Sequence, residues 1–116
     1  MMFEEDRIEK RWGWEHVLVE TDEYCVKYLL MRRDQRCSMH YHEHKHETVT
    51  CLIGKLVIRF HNRNLPSILL YPGQSRSIPA GKENTHAMRA EHEFVDTLYL
   101  ESSGAGHLDD AIRIAE

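Results

Sequence analysis

His40-Tyr41-His42-Glu43-His44-Lys45-His46-Glu47 is the stretch on which the fold turns. His40 and His42 stand two apart, so on a strand both imidazoles leave the same face and can share one ion. Four residues then separate His42 from Glu47, enough to turn a corner and begin the adjacent strand. The run that follows, ETVTCLI, alternates: Glu47, Val49, Cys51 and Ile53 on one face, Thr48 and Thr50 on the other. If the apolar face points into a core, the Glu47 carboxylate points inward as well. A carboxylate there is costly unless something positive meets it, and a metal ion would.

Working outward, the same texture recurs along the chain. Short β-branched, aromatic and aliphatic runs, WEHVLVE, YCVKYLLMR, SMHYH, ETVTCLI, KLVIRFH, SILLY, SRSIP, THAMRAE and EFVDTLYLES, are separated by turn chemistry such as Thr21-Asp22-Glu23, Asn62 to Pro66 and Pro72-Gly73. Many short strands at near-regular spacing predict an all-β sandwich or barrel. Helical periodicity is almost absent. Only the tail HLDDAIRIAE reads as a short helical turn, with Asp109 and Asp110 favouring its amino end.

The 116 residues, with 41% hydrophobic and 29% charged content, predict one folded domain over 1–116 with its barrel core at about 14–101. A net charge of -4 with scattered basic residues argues against a nucleic-acid surface. No apolar run approaches the roughly 20 residues that cross a bilayer, and MMFEEDRIEKRW lacks the apolar stretch of a signal peptide. A soluble protein of the cytoplasm is the expectation, without membrane partners. Cys25, Cys37 and Cys51, odd in number and without CxxC spacing, suit reduced thiols, with Cys25 and Cys51 as buried small hydrophobes. Nine histidines are many for this length, and four fall within seven residues.

His-x-His and Glu47 supply two nitrogens and one oxygen. A fourth ligand must come from elsewhere, and His86 follows the turn IPAGKENT. Three His and one Glu suit Zn, Fe, Mn or Ni, with positions left open for substrate or water. The spacing continues: Gly54 stands seven residues after Glu47, and later come Gly73 and Pro79-Ala80-Gly81.

These residues resemble the two signature motifs of the cupin superfamily, G-x5-HxH-x3,4-E-x6-G and G-x5-PxG-x2-H-x3-N. The resemblance implies a small cupin β-barrel (a double-stranded β-helix or jelly roll) with one divalent metal on His40, His42, Glu47 and His86. Asp34 stands where the first motif opens with Gly, His86 comes after four residues instead of two, and Ala90 replaces Asn. KRWGWEHV, YCVKYLL, SMHYHEHKHET, IPAG and LYLESS with LDDAIRIAE also resemble small stand-alone cupins related to type II mannose-6-phosphate isomerase. Trp12-Gly13, Lys27, Ser38, His42, Lys45, Glu47, His86, Glu101, Asp109, Asp110 and Arg113 fall on that group's positions. His40 replaces its usual Gln, Ala87 an Arg, and Arg11 a Pro.

The resemblance implies aldose–ketose isomerisation of a sugar phosphate. Such a reaction needs a proton shuttle between adjacent carbons and an electrophile, and a metal ion supplies the second. Glu47, Lys45 or His44 could carry the proton; Lys27, Lys45 and Arg113 could neutralise a phosphate. Lys27 and Lys45 could equally be solvated, and Arg113 could pair with Asp109 or Asp110. Trp12, Trp14 and Tyr24 could line the mouth or join the core. The alternatives are a non-catalytic sugar or nucleotide-sugar binder and an Fe(II)-dependent dioxygenase or lyase. A homodimer is expected by analogy with other cupins.

Overall fold

The computed structural model describes residues 6–104 and 110–114. Among these residues eleven strands run β1 (Ile8–Lys10), β2 (Gly13–Glu20), β3 (Tyr24–Met31), β4 (His40–His42), β5 (Glu47–Ile53), β6 (Leu56–Phe60), β7 (Ile68–Leu70), β8 (Ser75–Ile78), β9 (His86–Ala90), β10 (Thr97–Gly104) and β11 (Ala111–Arg113). They form two antiparallel sheets, ordered β1-β2-β3-β10-β5-β8 and β11-β4-β9-β6-β7. This is the cupin double-stranded β-helix that the resemblance implies, within the all-β sandwich or barrel that the strand runs predict. Each of the nine runs contributes one strand. β1 is exposed and polar, so alternation does not reveal it.

The core lies between the sheets. Leu29, Met31, Val49, Cys51, Ile78 and Tyr99 come from one; Leu56, Ile58, Leu70, Met88 and Ala90 come from the other. Cys25 and Cys51 are buried free thiols, as expected. Trp14 is buried beneath the Arg7 guanidinium at 5.1 Å, Tyr24 is half exposed, and Trp12 lines the cavity described below.

Two backbone details explain motif positions. A Cβ on Gly13 would lie 1.8 Å from the Leu30 carbonyl oxygen, so β2 meets β3 there only through glycine. Asp34 adopts φ 62, the left-handed turn for which the first motif uses Gly and which Asp tolerates.

Two expectations are corrected. The tail does not make a helical turn over its described residues: Ala111–Arg113 pair antiparallel with His40–His42 as β11. Asp110 does not cap a helix but bonds to His42 and to the backbone of residues 44 and 45, which draws the tail along the sheet edge. Asp109 lies outside the described residues. Ile53, placed inward by alternation, is 52% exposed. The register against β10 shifts there: Tyr99 pairs with Cys51 but Leu98 with Ile53, and the extra residue turns the strand end outward.

Candidate metal centre

At the mouth end of the barrel, the start of β5 meets β4, β9 and β10. Alternation along β5 leaves Glu47, Val49 and Cys51 buried, so Glu47 enters the interior and is only 2% exposed. β4 pairs with β9 at His40 and His86, which brings their rings to 4.6 Å between centroids. The His40 and His42 rings are 5.4 Å apart. A 3-10 turn at Lys82–Asn84 absorbs the two extra residues ahead of His86, and the Gly81 N–H bonds the His42 carbonyl at 2.8 Å.

The orientation of the imidazoles is informative. His40 Nδ1 lies 2.8 Å from the Ser38 carbonyl oxygen, His86 Nδ1 lies 2.8 Å from that of Asn84, and His42 Nδ1 lies 2.8 Å from Asp110 Oδ1. All three partners are pure acceptors, so each Nδ1 carries its proton, and each ring in its neutral form presents a lone pair at Nε2. His86 Nε2 is 2.8 Å from Glu47 Oε1, and His42 Nε2 is 3.4 Å from Glu47 Oε2. The buried Oε2 makes no hydrogen bond of ordinary geometry. Acceptors therefore face acceptors, an arrangement that needs a shared proton or a cation between them.

Donor atoms of His40, Glu47 and His86 lie within 4.8 Å of one another, as do those of His42, Glu47 and Glu101. Either group could hold a metal ion, and the two share Glu47. The residues present thus fit a divalent cation, and nitrogen with carboxylate donors suits Zn, Fe, Mn or Ni.

Electrostatics follow from burial. Desolvation pulls His40 down to about 4, assisted by His86, so it is neutral near pH 7. Burial alone would raise Glu47, but its contacts with Glu101, His42 and His86 hold it well below the usual carboxylate range. Glu101 moves oppositely: burial first, then the Glu47 charge, push it well above that range. His42 is lowered by burial, yet Glu47 and Asp110 more than offset this and raise it. Burial pushes the Cys37 thiol up to about 11, so it stays protonated beside the site.

These groups open onto a cavity of about 620 Å³, lined among others by Trp12, Glu15, Lys27, Lys45, Glu101 and Arg113, within the size range of small-molecule sites. Lys45 is buried while Arg113 is exposed on β11. Lys27 pairs in register with Glu101 and lies 3.9 Å from Glu15 Oε2; burial lowers it, but the two carboxylates outweigh that and raise it. His44 and His46 are exposed at the corner, as expected. Glu101 is the donor to which residue-by-residue reasoning gave no role. Its signal is the inward alternation of Thr97, Tyr99 and Glu101 along β10.

Among the described residues no helix is long and apolar enough to cross a membrane. A family model described as D-lyxose isomerase matches residues 10–81, more than half of the chain. No curated protein matches the sequence significantly. Among solved structures, a double-stranded β-helix domain protein of Klebsiella pneumoniae aligns with TM-score 0.78 at 16% identity, over 95% of this chain and 90% of that one. KdgF of Halomonas sp. aligns with TM-score 0.77 at 16% identity, over 95% of both chains. A sugar phosphate isomerase of the cupin superfamily from Silicibacter pomeroyi aligns with TM-score 0.68 at 18% identity, over 80% of this chain and 59% of that one. At such identities these likenesses speak for the fold.

Proposed function

The chain belongs to the D-lyxose isomerase family, and from that premise we propose that it is a metal-dependent enzyme that interconverts an aldose and a ketose. The observation that carries the reading is the gathering of His40, His42 and His86, each with its Nδ1 on an acceptor, around Glu47 beside a sugar-sized cavity. His40, His42, Glu47 and His86 are the proposed ligands, with Glu101 in reach as a further donor. A bound divalent ion would supply Lewis acidity to the oxygens of the carbonyl and its neighbouring hydroxyl.

The chain's own residues supply the rest. Lys45 and Glu101 line the cavity beside the ligands, where a side chain can take a proton from one sugar carbon and return it to the next. Glu47, also a candidate for that role from sequence, is the less suited, because it is buried against His86 and His42 and does not line the cavity. Lys10, Arg11, Lys27 and Arg113 also line the cavity, and this cationic wall would accept a phosphate on the far end of the sugar. The family name points to a free sugar, whereas the sequence resemblance points to a sugar phosphate, with mannose 6-phosphate first. A small-molecule sugar is common to both. We further propose a single-domain, cytoplasmic protein that works as a homodimer.

The test is turnover of D-lyxose, D-mannose and mannose 6-phosphate in D2O by metal-free protein reloaded separately with Mn, Zn, Ni or Fe(II). Ketose formation with deuterium entering at the reacting carbons is the expected result. Absence of both with every metal and sugar would overturn the isomerase reading.

A further inference from the structure

Asp110 lies 68 residues beyond His42, yet its carboxylate stands directly behind the His42 ring, on its Nδ1 side. Oδ1 accepts the His42 Nδ1–H at 2.8 Å; Oδ2 accepts the N–H groups of His44 at 2.7 Å and Lys45 at 2.9 Å. Its side chain is only 9% exposed. The other two imidazoles are oriented by carbonyls two residues upstream, at Ser38 and Asn84. His42 alone of the three takes its orientation from a side chain on a distant segment.

That segment begins β11. Ala111 faces His42, Ile112 faces Tyr41, Arg113 faces His40, and the Ile114 N–H bonds the Met39 carbonyl at 3.0 Å. One carboxylate therefore joins three things: the tautomer of a ligand, the shape of the corner at residues 43–46, and the docking of the edge strand. Partners of this kind, behind a metal-bound histidine, set its ring plane and basicity. Whatever ion binds the docked form more tightly stabilises docking by the same factor, because the coupling is reciprocal.

We propose that Asp110 is a positioning residue for the metal centre, holding His42 with Nε2 toward the ion and coupling metal occupancy to docking of β11. The coupling rests on the metal-site reading above; the orientation of His42 does not. The experiment uses full-length protein labelled with 15N-histidine, the variants Asp110→Ala and Asp110→Asn, and titration with Zn(II) or Mn(II). Metal-free wild type should show His42 as the Nδ1–H tautomer at mildly alkaline pH. Asp110→Ala should weaken metal binding by about 10–100-fold. Asp110→Asn, which retains one acceptor oxygen, should lose less. In a His42→Gln background, Asp110→Ala should change affinity no further. Metal should slow amide exchange at residues 111–114 in wild type but not in Asp110→Ala.

An Nε2–H tautomer in the wild type overturns the positioning role. So does an affinity within about threefold of wild type in Asp110→Ala, or an equal loss in the His42→Gln background, which would mark a merely structural effect. Wild type that binds neither metal would sink the site reading and the coupling together, while the tautomer would still judge the orientation.

Discussion

Replacing Glu47 by Gln should move two properties of the protein in different directions. Glu47 is 2% exposed, with one carboxylate oxygen 2.8 Å from His86 Nε2 and the other 3.4 Å from His42 Nε2. Without metal, this is acceptor against acceptor unless a proton intervenes. An amide in the same place turns its NH2 toward one of those Nε2 lone pairs, leaves its oxygen facing the other, and removes a buried charge. Metal-free Glu47→Gln should therefore keep its stability within about 1 kcal/mol of wild type, or gain some. Metal binding should suffer, because the amide oxygen brings no charge to the ion. If four ligands share the roughly 10–16 kcal/mol of a structural zinc site, each supplies about 3 kcal/mol. That corresponds to a loss of about 100-fold in affinity. The assay pairs urea denaturation in chelator with competition titration of Zn(II) or Mn(II) at mildly alkaline pH. Affinity within threefold of wild type would refute the ligand role. A loss of several kcal/mol in the metal-free protein would instead make Glu47 the anion of a structural ion pair.

Two further outcomes are expected. His40 is held near 4 in the folded protein and titrates near 6.5 when unfolded, so between those values the unfolded chain takes a proton that the fold refuses. Its contribution to metal-free stability is lost as pH falls through that window; the denaturation midpoint of wild type relative to His40→Gln should drop from pH 7 to pH 4, and a flat difference would refute it. Gly54 has φ +91, and a Cβ there would lie 2.6 Å from Thr97 Oγ1 and 2.9 Å from its Cα, so Gly54→Ala should cost at least about 2 kcal/mol in thermal or urea unfolding. Being at the far end of β5 from Glu47, it should leave the metal affinity of the folded protein unchanged.

The legible parts of this molecule were those written in local pattern. Short β-branched, aromatic and aliphatic runs between turn residues placed nine strands, and two histidines two apart with a carboxylate opening the next strand marked the site. What stayed hidden depends on partners far along the chain. The tail reads as a helix start because Asp109-Asp110 is a good helix-capping pair, and nothing local reveals that His42 competes for that carboxylate. Ile53 follows the inward face by count, and only the register shift against β10 turns it out. Glu101 looks like one more polar strand residue until Glu47 and His42 are set beside it.

The separations that build the centre, 39 residues from Glu47 to His86 and 68 from His42 to Asp110, also govern when it can exist during folding. Closing such long loops is slow and precedes the contacts that reward it. The short stretch 40–47 holds three of the four proposed donors, and His86 joins them only when the two sheets meet. The complete set of proposed donors comes together only once both sheets have closed.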